Sequence, residues 1–221
     1  MVDKIIYYIS LFLAVMVVLS VHEFAHGFAA VRNGDMTPKI RNRYTLNPFA
    51  HFDLIGLVCF VFAHFGWAKP MPVNPNNFRH YKRGCFWVSI AGVLANYLLA
   101  FVVYPLPYLI LKYVPTIGYF TVVLYLTFSF IFTMCLSFFV FNLLPIYPLD
   151  GFRVVDVFCK RRGRVYWFLR TKGIFILYAL FGLSIFAQIT GIVYFNILGI
   201  VIEFVVGIIE VPIKLFWGLI I

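Results

Sequence analysis

Acidic residues are scarce in this chain. Only 8 of its 221 residues are Asp or Glu, against 18 Lys or Arg, and charged residues of both signs make up 12%. That is about half of what a soluble domain usually carries. There are 4 cysteines, none paired as CxxC, which argues against a zinc ribbon or a disulfide framework and leaves them as apolar packing residues. Long polar stretches are absent too, so the chain has no room for a separate soluble catalytic domain. What is abundant is apolar surface: 63% of the residues are hydrophobic and 20% aromatic, with 27 Phe and 14 Tyr. A small soluble globule cannot hide that much, because too much of its volume lies near the surface. The composition predicts an all-α, polytopic membrane protein forming a single membrane-embedded domain over residues 1–221.

The net charge of +10 is not a nucleic-acid footprint. The cations sit in the gaps between apolar runs, with 4 in 32–43, 4 in 69–83 and 7 in 153–172. Loops on the cytoplasmic side of membranes carry this excess, so no nucleic-acid partner is expected and the lipid bilayer is. A hydrocarbon core of about 30 Å needs about 20 apolar helical residues. The runs 5–31, 85–111 and 117–144 satisfy this. The run 173–190 is marginal, 195–221 is the last candidate, and Pro105 and Pro107 should kink the end of the second. About five transmembrane helices are therefore expected. The run 54–65 is too short to cross and reads as a re-entrant segment, and the Pro-rich stretch 66–75 reads as extended chain. With 54–65 re-entrant, all three basic clusters fall on the cytoplasmic side, with the N-terminus outside and the C-terminus inside. The first run has no small-residue cleavage site and reads as a retained span, in a multi-pass protein of the cell membrane.

The first span contains His22-Glu23-Phe24-Ala25-His26. In a helix, the two histidines lie one turn apart on one face, a spacing that suits a shared zinc ion. Glu23 is offset yet near enough to act as general base toward a water on the metal. An acidic side chain at membrane depth seldom sits there without a partner or a role. Catalytic zinc sites of this kind use three protein ligands. Candidates for the third are Asp150, Glu203, Asp53, His51 and His64. Asp150 closes the fourth apolar run at the end where His22 and His26 also lie, although an Asp-Gly pair is equally at home in a solvated turn.

Two motifs together resemble the site-2 protease family of intramembrane zinc metalloproteases. Members carry a helix-borne HExxH and a distant LDG near the end of another transmembrane helix, matched here by Leu149-Asp150-Gly151. Asn142 and Pro145 match the family's N-x-x-P arrangement. Ala91-Gly92-Val93-Leu94-Ala95-Asn96 is similar to its A-G-P-x-x-N segment, with Val93 in place of Pro, and Phe152 stands where many members have a second Gly. The stretches 47–53 and 66–74 resemble a compact bacterial branch without PDZ or CBS domains. The resemblance covers roughly residues 20–155. It implies one zinc per chain held by His22, His26 and Asp150, with Glu23 as catalytic base. It also implies Asn142 and Asn96 as polar groups near the site, able to hold the scissile carbonyl or to tie helices together. His51 is a candidate substrate contact or a plain loop histidine. The implied activity is cleavage of transmembrane protein substrates within or near the bilayer, with the site toward the cytoplasm. A membrane metal-binding or transport protein is the alternative class, but it should repeat its ligands along several helices, and no internal repeat is present.

Overall fold

The computed structural model describes residues 2–56, 68–114 and 118–221. Among them there is no β-strand, only an isolated antiparallel bridge between Phe52 and Ala68. Helix α1 spans Val2–Arg32, with Asp3 in its first turn and Arg32 in its last, each sign complementing the helix dipole. Its buried positions include Leu11, Val15, Val18, His22, His26 and Ala29, recurring every three or four residues. Gly34, at φ 108°, ends it by turning the chain through a backbone conformation that other residues rarely adopt. The short helix α2, Thr37–Ile40, follows.

Helix α3 spans Tyr81–Val103 and α4 spans Pro105–Tyr113. The break falls where Pro105 removes an N–H donor, as the sequence leads one to expect. Helix α5 is Tyr119–Leu143; Leu144, ahead of Pro145, is forced out of helical geometry at ψ 133°. Helix α6, Asp150–Phe158, returns at once, and α7 covers Arg164–Thr190. The expected last span, 195–221, is instead divided into α8, Ile197–Ile209, and α9, Val211–Gly218. Pro212 lacks the donor a continuous helix needs there, and neither piece has the length of a crossing. Among the described residues, four helices are long and apolar enough to span a bilayer: α1, α3 with α4, α5 and α7. They mark a membrane protein. The stretch 68–74 is extended, in keeping with its prolines. Most of the proposed re-entrant run 54–65, together with Cys59, His64 and Trp67, lies outside the described residues.

The core joins α1, α3, α5 and α9 through Ala14, Val18, Ala100, Val103, Ile131, Cys135, Leu136 and Ile213. Small side chains at the crossing points let the helices approach closely, the usual means of association where lipid removes the hydrophobic driving force. Trp217 Nε1–H donates to the Phe101 carbonyl at 2.8 Å and the Tyr97 hydroxyl to that of Ile209 at 3.2 Å, docking the last two helices on α3. Helix α1 is the most enclosed of the four: 56% of its apolar window is buried, against 17% for α7. The histidine-bearing helix is thus the one best shielded from lipid.

Candidate metal centre

His22 and His26 project from the enclosed face of α1, each 5% exposed. Their Nε2 atoms lie 3.0 Å apart. Asp150, the first residue of α6, places Oδ2 3.3 Å from His22 Nε2 and 3.1 Å from His26 Nε2. Among the described residues these three form the only group of His, Cys, Asp or Glu that can hold a metal ion. The separations come within a few tenths of an ångström of the edge of a tetrahedron with ligands about 2.0–2.1 Å from a zinc ion, which is about 3.3–3.4 Å. Asp150 Oδ2 is buried and accepts no hydrogen bond, so its lone pairs are left for a cation. The donor set of two imidazoles and a carboxylate suits zinc.

Helix α3 orients both rings. His26 Nδ1–H donates to the Val88 carbonyl at 2.6 Å, leaving Nε2 with a free lone pair. The Asn96 carboxamide, fully buried, lies 3.2 Å from His22 Nδ1. As placed, Asn96 turns Nδ2 to the ring and leaves Oδ1 without a partner among the described residues; turned over, with Oδ1 toward the ring, the amide accepts Nδ1–H and gives His22 the same tautomer as His26. Between them sits Gly92. A methyl group there would lie 2.6 Å from His26 Nε2 and 2.8 Å from His22 Nε2, so only glycine lets α3 pass so near the pair. Val88, Gly92 and Asn96 are spaced by four and form one stripe of α3.

Asp150 owes its place to the backbone. The turn 144–149 reverses the chain after α5, and Leu149 is extended at the start of α6. Gly151 is helical. It lies inside α6, where a Cβ would meet the Leu143 carbonyl oxygen at 2.2 Å, so its role is close approach of α6 to the end of α5. Phe152 packs its ring against Tyr147 and Tyr166 at 5.9 and 5.4 Å and fixes the first turn.

Glu23, half-buried, accepts a hydrogen bond from Met71 N–H at 2.6 Å. The extended stretch that carries Met71 is strapped down further. Arg43 donates to the Lys69 carbonyl at 2.6 Å, and Asn74 N–H donates to Asp35 at 2.7 Å.

The chain is 39% identical over 160 residues, 70% of its length and 73% of the other's, to a Bacillus subtilis (strain 168) protein named "Putative zinc metalloprotease YwhC". The chain belongs to this zinc metalloprotease family. No family model and no solved structure matches it. In a zinc metalloprotease, a buried cluster of two histidines and one carboxylate is where the metal is expected.

Among the described residues, His51, Asp53, Glu203 and Asn142 are not members of that ligand group. His51 is 1% exposed, and its Nε2 lies 2.7 Å from the Thr45 carbonyl. Asp53 accepts from Gly56 N–H at 3.0 Å, and Glu203 is exposed on α8. Asn142 donates to the Phe138 carbonyl of its own helix at 3.1 Å. Sequence reasoning passed over Gly92 and the Val88 carbonyl as neighbours of the histidines. Gly92 carried a signal, a residue without a side chain four positions before Asn96 in an otherwise bulky apolar helix; the Val88 carbonyl carried none.

Proposed function

We propose that the protein is an intramembrane zinc endopeptidase of the site-2 protease kind, hydrolysing peptide bonds of transmembrane substrates within or near the bilayer. The observation that carries this reading is the depth of the ligands. His26 and His22 lie six and ten residues before Arg32, about 9 and 15 Å along the axis of an apolar helix. This is within the half-thickness of a hydrocarbon core, about 15 Å. His22, His26 and Asp150 would hold the ion. Zinc bound there supplies Lewis-acid polarisation of the scissile carbonyl and a water acidic enough to ionise near neutrality.

Glu23 takes the proton of the attacking water and returns it to the leaving amine. Met71 N–H engages one of its oxygens and keeps the carboxylate oriented, while the other remains to receive the proton. Asn142 and Asn96 are the polar groups nearest in sequence pattern to an oxyanion-binding role; the contact of Asn96 with His22 favours positioning of the ligand instead. A substrate helix must unwind locally, because its carbonyls are otherwise held in hydrogen bonds. The three basic loops favour a site facing the cytoplasm, in the cell membrane.

Zinc content and cleavage of a membrane substrate, measured on the same preparations, test the reading. Wild type should hold one zinc per chain, and Asp150→Ala should lose it. Glu23→Gln should keep zinc and lose about 10²–10⁴-fold in rate. A Glu23→Gln protein that cleaves at the wild-type rate overturns the mechanism. One that keeps metal flux, in a wild type without cleavage, assigns the chain to metal transport.

A further inference from the structure

On the face of α1 and α3 away from the metal cluster lies an open cavity of about 570 Å³. Its α1 wall carries Phe28 and Arg32, one turn apart. Its α3 wall carries Arg83, Trp87 and Leu94, which return to one helix face at four and eleven residues' spacing. Arg79 closes the top, tied to the end of α1 by its N–H donating to the Asn33 carbonyl at 2.9 Å. No Asp or Glu lines the cavity. Among the described residues none of the three arginines is in an ion pair. Arg32 instead lies over the Phe28 ring, 5.1 Å from its centre.

The cavity is graded along the helix axis. Arginines occupy the end nearest the loops, and Phe28, Trp87 and Leu94, which keep 42%, 45% and 41% of their surface exposed, occupy the end within the apolar spans. From Arg83 to Leu94 is about 16 Å of helix, about the depth of one leaflet. A soluble anion would match only the top of such a cavity, and an uncharged lipid only the bottom.

The geometry points to a binding site for one anionic glycerophospholipid, its phosphate among Arg32, Arg79 and Arg83 and an acyl chain along Phe28, Trp87 and Leu94. Guanidinium groups match phosphate oxygens bidentately, and basic pockets between membrane helices select anionic head groups. The lipid would fill the seam between the two helices that hold and orient the histidines.

The test is native mass spectrometry of the full-length protein after equilibration in micelles containing equal phosphatidylglycerol and phosphatidylcholine. Wild type should retain phosphatidylglycerol in preference. Each cation near an anionic group is worth about fivefold, so Arg32→Gln with Arg83→Gln should weaken retention about 25-fold, and Arg79→Gln alone about fivefold. Thermal melting in phosphatidylcholine micelles identifies the variants that fold, and the single variant decides the matter should the double one not. The control, Lys39→Gln with Arg41→Gln, removes two exposed cations outside the cavity and should leave retention unchanged. Three results each overturn the proposal: equal retention of both lipids by wild type, equal loss in the control, or displacement of the lipid by inorganic phosphate at matched concentration.

Discussion

Gly92 has no side chain, yet it decides how near α3 can come to the two imidazoles. A single methyl there meets both Nε2 atoms, and with α3 held by packing on both sides, the rings must rotate away. Gly92→Ala should therefore abolish zinc binding while the helical circular dichroism stays at the wild-type level; elemental analysis beside the spectrum checks both. Asn96→Ala should weaken zinc affinity by about 10–100-fold, as loss of a partner that orients a ligand usually does. The pairing of His22 with His26 was legible because it is local: one turn of helix guarantees it. Asp150 was singled out by its depth and its Leu-Asp-Gly context, since the sequence does not record which distant elements touch. The Val88 carbonyl was not legible at all, because every residue has a carbonyl and only the tertiary approach of two helices selects one.

The element that binds the site together from the loop side is the extended stretch 68–74. Its anchor is Asp35, fully buried, which accepts from Thr37 N–H and Oγ1–H, from Asn77 Nδ2–H and from Asn74 N–H. Burial pushes the Asp35 carboxyl up, but the hydrogen bonds from Thr37, Asn77 and Asn74 outweigh it and hold the group below its ordinary range. A carboxyl depressed in the folded state contributes stability that is complete above its unfolded value, about pH 4, and is lost as pH falls toward the folded one. The melting temperature should thus decline below about pH 4, and Asp35→Asn should flatten that decline. Asp35→Ala leaves buried donors unpaired and should cost about 1–3 kcal/mol in denaturant unfolding. The prolines made this stretch recognisable as extended. Its attachment to Asp35 and Glu23 was not, because its Asn74 and Met71 anchors are backbone N–H groups.

Across the whole molecule, hydropathy located the long spans but not the division of the last run, where Pro212 follows the break between two helices in a stretch that apolar composition alone reads as continuous. The basic loops favour one sidedness for 32–43, 69–83 and 153–172, and the bridge from Phe52 to Ala68 brings together the chain entering and leaving the run between them. Cysteines introduced at the exposed Asn42, Asn76 and Arg162 should label from the same side of sealed vesicles; opposite labelling of Asn42 and Asn76 would mean that the run between them crosses. The metal ligands themselves come from opposite halves of the chain, with α3 and α5 threaded between. A zinc ion at that point would act as a removable cross-link closing a very long loop, the kind of clip that restricts the unfolded chain most. Metal affinity and cohesion of the bundle are then one free energy seen from two ends. Melting temperature should climb with the logarithm of free zinc. Any substitution that loosens α6 from α1, however far from the histidines, should register first as a weaker hold on the metal.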